Sequence, residues 1–133
     1  MRFMIATLPF LLCVCATTAA GETVSAAVLA SNPSAFDNQL VKVRACLAAS
    51  PHGSYLYDCG AKTKPIVLLV PSENDAAFAH AFALSQEHFG SDVRATFTGT
   101  FYAHRKIDLF GEQLLADNVL HIDRTSEATV NEP

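Results

Sequence analysis

The chain has 133 residues, half of them apolar, and nine Lys and Arg against 13 Asp and Glu give it a formal net charge of −4. That length suits one small domain, and an acidic balance opposes binding to nucleic acid or to an anionic membrane surface.

Residues 1–20 have the form of a secretory signal peptide: Arg2, an apolar run from Phe3 to Cys15, then small residues ending Thr18-Ala19-Ala20. The run is shorter than the roughly 20 residues that cross a bilayer, so no retained transmembrane span is expected. Cleavage is expected after Ala20, giving a periplasmic or secreted protein. Lipidation is disfavoured, because Val14 precedes Cys15 and Leu12 precedes Cys13 where a lipoprotein signal has a small residue. Without the leader, eight Lys and Arg face 13 Asp and Glu, a net charge of −5, and Cys46 and Cys59 are the two cysteines left. In an oxidising compartment an even count is normally paired.

Residues 21–38 read as a short helical segment. Val24 to Ala30 has Val24, Val28 and Leu29 on one side, and Asn32-Pro33 opens a further turn that Asp37-Asn38 breaks. From Leu40 the period becomes two, with Val41, Val43, Ala45 and Leu47 alternating with Lys42, Arg44 and Cys46, as in a half-buried strand. Pro51-His52-Gly53-Ser54 then closes a hairpin. With His52 and Gly53 as the central residues of a two-residue turn, Cys46 falls opposite Cys59 on a non-hydrogen-bonded pair, where a disulfide fits. The bridge closes a loop of about 14 residues, worth roughly 3 kcal/mol in the chain-entropy model.

The second strand is Tyr55 to Cys59. Pro65 to Pro71 is continuously apolar and β-branched, the pattern of a strand buried on both faces. Ser72-Glu73-Asn74-Asp75 resembles a capping box and opens a helix expected to run to Phe89 and stop at Gly90, with Phe78, Phe82 and Phe89 buried. Val93 to Tyr102 alternates, with Gly99 a bulge or bend. A polar loop with His104, Arg105 and Lys106 leads through Gly111 to a last strand, Leu114 to Asp123, and residues 125–133 are expected to be a disordered tail.

The fold expected is mainly β: a five-stranded OB-like barrel over residues 39–124, with a helix between strands 3 and 4 and short N-terminal helices. An open α+β sheet carrying the same helix is the alternative. The stretch Leu29-Ala30-Ser31-Asn32-Pro33-Ser34-Ala35-Phe36-Asp37 followed by Leu40-Val41-Lys42-Val43-Arg44 resembles the opening of uncharacterised exported bacterial OB-fold-like domains. Their pattern is Asn-Pro, an aromatic, Asp-Gly-Lys, then alternating Val and basic residues. Thr98-Gly99-Thr100-Phe101 and Leu109-Phe110-Gly111 are similar to that family as well, whereas Asn38-Gln39 stands in place of its Gly-Lys and Ala45 in place of a common glycine. The resemblance implies a fold and carries no reaction or ligand.

Two groups of residues are candidates for binding. The hairpin register puts Tyr55 and Tyr57 on one face with Cys46, Arg44 and Lys42, and tyrosines beside cations hold planar or anionic ligands by stacking and charge. The bland reading is aromatic cover for a disulfide. The loop His104-Arg105-Lys106 borders the ligand face in an OB barrel, with Arg105 and Lys106 as anion contacts and His104 as a donor; the bland reading is a solvated loop tip. Symmetry about that loop would set Tyr102 opposite Glu112 and His121 beside Arg94. His80 and His88 lie eight helical positions apart, about 12 Å of rise, and cannot share an ion. No Cys/His ligand spacing supports a metal centre, and no cofactor is expected. Three function classes remain: a non-catalytic binding module for a small molecule, glycan or envelope protein; a small hydrolase using His104 with Asp108 or another acid; and a structural accessory subunit.

Overall fold

The computed structural model describes residues 22–60, 67–109 and 111–131. The expected signal peptide and the first residues of the Pro65–Pro71 strand lie outside the described residues. In chain order the elements are β1 (Thr23–Val24), α1 (Ala26–Ser31), α2 (Pro33–Phe36), β2 (Gln39–Ser50), β3 (Gly53–Tyr57), β4 (Val67–Val70), α3 (Ala76–Glu87), β5 (Asp92–Leu109), β6 (Glu112–Thr125) and β7 (Thr129–Asn131).

The protein is mainly β. Five strands form a ring in the order β2-β3-β4-β6-β5, closed by the pairing of β5 back onto β2, and β1 and β7 extend the sheet beyond it. Ring neighbours are antiparallel except β4 and β6. The alternation in β2 explains how one strand serves two partners. Its first part pairs with β5 from Gln39 to Cys46 and its second with β3 from Cys46 to Ser50, while Val41, Val43, Ala45 and Leu47 all point into the ring. They meet Leu56, Val67, Leu69, Phe97, Phe101 and Ile122 there. Burying each phenylalanine is worth about 2–3 kcal/mol.

α3 lies between the third and fourth strands of the ring, as expected, and closes it with Phe78 and Ala81. Its N-cap is Asp75, not Ser72: the carboxylate accepts from the N–H of Phe78 at 2.9 Å and from the hydroxyl of Thr125 at 2.7 Å, so one side chain ties the helix to β6. The helix ends two residues sooner than its periodicity suggests. His88 is the C-cap, and Phe89, expected to be buried, is 94% exposed because it falls outside the helical repeat.

Gly99 is the expected irregularity. The β5–β6 register shifts between Thr98 and Gly99, leaving Asp123 without a partner, and the backbone of His121 and Ile122 passes so close that no Cβ fits. Two terminal segments differ from expectation. Thr23–Val24 is a short parallel strand on β2 rather than part of a helix, and Thr129–Asn131 pairs with Asp92–Arg94 where the sequence suggested a disordered tail. Both attach through backbone hydrogen bonds, which leave no hydrophobic period to read.

Candidate functional site

The opening hairpin carries the first candidate group, and its register corrects the one derived from the cysteines. Ser50 pairs with Gly53 and Cys46 with Tyr57, so Pro51 and His52 are the central turn residues and Cys59 lies two positions beyond Cys46's partner. Proline presets the backbone of the first central position, serine before it and glycine after it suit the flanks, and Ser50 Oγ accepts from the N–H of His52 at 3.2 Å. The disulfide itself is present. Cys46 and Cys59 are joined with Cα atoms 5.2 Å apart, the chain turning back just past the end of β3. Because the register differs by two residues, every side chain keeps its face. Tyr55 and Tyr57 still share the outer face with Cys46 and Arg44.

Tyr57 is committed to structure. Its hydroxyl donates to Asp92 at 2.9 Å, and Asp92 also accepts from the N–H of Gly60 at 3.1 Å. Burial, that hydrogen bond and the carboxylate charge together push the Tyr57 phenol up to about 12. Arg94, opposite Cys46 on β5, brings Nε within 3.4 Å of the Cys59 sulfur. Arg44 lies opposite Thr96 and is exposed.

Tyr55 belongs to a different neighbourhood. It pairs with Leu68 and packs on a second apolar cluster of Leu68, Ile107 and Val119, joined by Val70 and Ala116. Ile107 comes from the segment expected to be a loop, and Ala116 from the start of the expected last strand. The expected loop is instead part of a two-stranded ribbon, in which β5 and β6 stay paired out to Leu109 and Glu112. Tyr102 therefore faces Val119, not Glu112, and His121 faces Thr100, not Arg94. The ribbon is distorted where the Ala103 N–H donates to Asp37 at 2.9 Å and Asn118 adopts a positive φ.

The ribbon residues are placed as follows. His104 Nδ1 lies 2.5 Å from Asp117 Oδ1, with side chains 68% and 73% exposed. Arg105 stacks over the Tyr102 ring at 4.1 Å. Lys106 is exposed opposite Leu115. Asp108, the acid named first beside His104 in the hydrolase reading, accepts from the turn N–H of Gly111 at 3.1 Å, and Asp117 is the acid that stands next to His104. The six candidates thus divide. Arg44 and Tyr57 flank the disulfide, while Tyr55, His104, Arg105 and Lys106 gather around the ribbon.

Sequence reasoning missed Asp92, Arg94, Tyr102 and Asp117. The first two lie in a strand whose period was read for its buried half alone; their outward positions alternate with Val93 and Ala95 and were available to the same count. Asp117 needed the ribbon register, which no local signal supplies. Among the described residues no three His, Cys, Asp or Glu side chains gather as a metal site, and no helix is long and apolar enough to cross a membrane. Comparison with protein-family models, with curated proteins and with solved structures finds no match to this chain.

Proposed function

We propose that the chain is a non-catalytic exported binding module on an OB-type barrel, which holds a small molecule, glycan or envelope protein between the outer face of β3–β4 and the β5–β6 ribbon. The strand order of the ring, its one parallel pair and the helix between its third and fourth strands support the OB assignment. In that frame β3 and β4 are the second and third barrel strands, and the ribbon is the connection that borders their face. Export is supported by the leader-like first 20 residues and by the disulfide.

The observation that carries the reading is the packing of Ile107 and Ala116 with Leu68 and Tyr55 in one outer cluster. It brings the ribbon face that bears Arg105 alongside an aromatic strand face, an apolar floor with a cation at its border, Lys106 lying on the ribbon's other face. Binding is favoured over hydrolysis because His104 and Asp117 are open to water, whereas a general base is tuned by a shielded pocket. The test is native mass spectrometry of protein recovered from the envelope of producing cells. A bound species on the wild type that is lost in Tyr55→Ala and in Arg105→Ala supports the reading. A bare wild type, or a species both variants retain, overturns it. The same spectra report whether residues 1–20 have been removed.

A further inference from the structure

In the part of the ring before β5 and β6 run on into the ribbon, β2, β5 and β6 lie side by side, and their outward positions can be read from the register. Lys42 pairs with Thr98, and Thr98 with Arg124; Arg44 pairs with Thr96; Cys46 pairs with Arg94. The residues between these point inward: Val43 with Phe97, Ala45 with Ala95, and Phe97 with Thr125 are the buried pairs. Lys42, Arg44, Arg94 and Arg124 therefore share one outer face. Lys42, Arg44 and Arg124 are exposed and Arg94 half-buried. Along β2 the cations stand about 7 Å apart, and Lys42 and Arg124, two strands apart, about 10 Å.

This grouping runs against the composition. The chain is net acidic, yet four of the six Lys and Arg among the described residues lie here. Among the described residues none of the four has a carboxylate within ion-pair distance. The acids close in sequence are engaged elsewhere or unpaired: Asp92, two positions before Arg94, accepts from Tyr57 and Gly60, and Glu22, Asp123 and Glu127 make no such pair among the described residues. A surface arranged for solubility alone would intersperse its signs. Here like charges share one outer face of the ring with no acid paired to them among the described residues, at a cost in self-repulsion that a bound anion would relieve.

The positions between the cations select the class of anion. They are the hydroxyls of Thr96, Thr98 and Thr100, donors and acceptors set in a row along β5. Single-stranded nucleic acids are gripped by aromatic side chains that stack on the bases; of the two tyrosines bordering this face, Tyr57 is held to Asp92 and the Tyr102 ring is covered by Arg105. A sheet of alternating cations and hydroxyls suits a polymer carrying repeated acidic groups and many hydroxyls.

We infer that this face is a binding site for an acidic glycan, with Lys42, Arg44, Arg94 and Arg124 contacting its sulfate, phosphate or carboxylate groups and the threonines its hydroxyls. The site is separate from the ribbon and stands or falls independently of it.

The test uses protein produced from the full 133-residue sequence and heparin, a sulfated polysaccharide, as the probe, with affinity measured across a salt series. Wild type should bind at low ionic strength. Arg44→Gln and Arg124→Gln should each weaken binding about fivefold and reduce the slope of log affinity against log salt by about one. Glu87→Gln, which shifts net charge on the exposed side of α3, should change neither. A 30-residue oligothymidylate should bind more weakly than heparin at equal salt, and uncharged dextran not at all. No binding by folded wild type overturns the inference, as does unchanged binding by both arginine variants. A gain in Glu87→Gln equal to either loss would show that net charge and not this face governs binding, and equal or tighter oligothymidylate binding would reassign the face to nucleic acid. Circular dichroism of each variant establishes that the fold is retained.

Discussion

Gly99→Ala should be among the most damaging single-methyl additions in this protein. A Cβ at that position would lie 2.0 Å from the carbonyl oxygen of His121, 2.8 Å from its carbon and 2.9 Å from the Cα of Ile122. All three are backbone atoms, so no rotamer change relieves the clash. β6 would have to lift by about 1 Å, which breaks the adjoining ladder hydrogen bonds at about 1 kcal/mol each and opens the core beneath Ile122, fully buried in the native fold. The sum is about 3 kcal/mol, at the upper end of overpacking costs. For a domain of this size that lowers the melting temperature by about 12 °C. The measurement is urea and thermal unfolding followed by circular dichroism with the disulfide intact, with Thr98→Ala, an outward neighbour, as the reference. Because Gly99 lies outside the left-handed region, backbone strain contributes nothing and the argument is purely steric. A loss below about 1 kcal/mol would refute the close approach of β6 that shapes this side of the ring.

Two further outcomes follow from the disulfide side. Replacing Cys46 and Cys59 together by alanine removes a link of sequence separation 13 and should cost about 3 kcal/mol; identical urea midpoints for the two proteins would contradict that. Tyr57, with its folded pKa raised from 10.0 to about 12, holds its proton more tightly folded than unfolded. Its contribution to stability is therefore complete below pH 10 and lost as pH rises through 12. Absorbance titration of the phenolate should show one late-ionising tyrosine, moved toward the ordinary value in Asp92→Asn; a titration with no late component would disprove the arrangement.

What the sequence revealed depended on which faces are buried. β2 and the inner part of β5 each bury one side, so their period of two was visible and their inward residues were read correctly. The distal β5–β6 ribbon has exposed residues at Asp108, Glu112, Gln113 and Leu115. With so little of it buried, alternation vanishes and His104-Arg105-Lys106 reads as a loop. The hairpin register erred for a different reason. The preference of two-residue hairpins for glycine in the turn centre was applied to a segment where proline in the first central position decides the geometry. A two-residue error preserves faces, so Tyr55 and Tyr57 stayed beside Arg44 in the strand argument, yet it could not show that Tyr55 is claimed by the ribbon and Tyr57 by Asp92. The cationic face was hidden because Lys42 and Arg44, Arg94, and Arg124 belong to three strands, brought together by closure of the ring.

Asp58, Cys59 and Gly60 are consecutive, and each fastens a different part of the chain. The Asp58 carboxylate accepts from the N–H groups of Ala26 and Ala27 at the start of α1, Cys59 is bonded to β2, and the Gly60 N–H donates to Asp92, where β5 also pairs with β7. The first and last described segments are thereby moored to a single covalently fixed point. Chain ends ordinarily fray one at a time; here a change that loosens this short clasp would release both ends in one step, making the disulfide a governor of terminal cooperativity as well as of global stability.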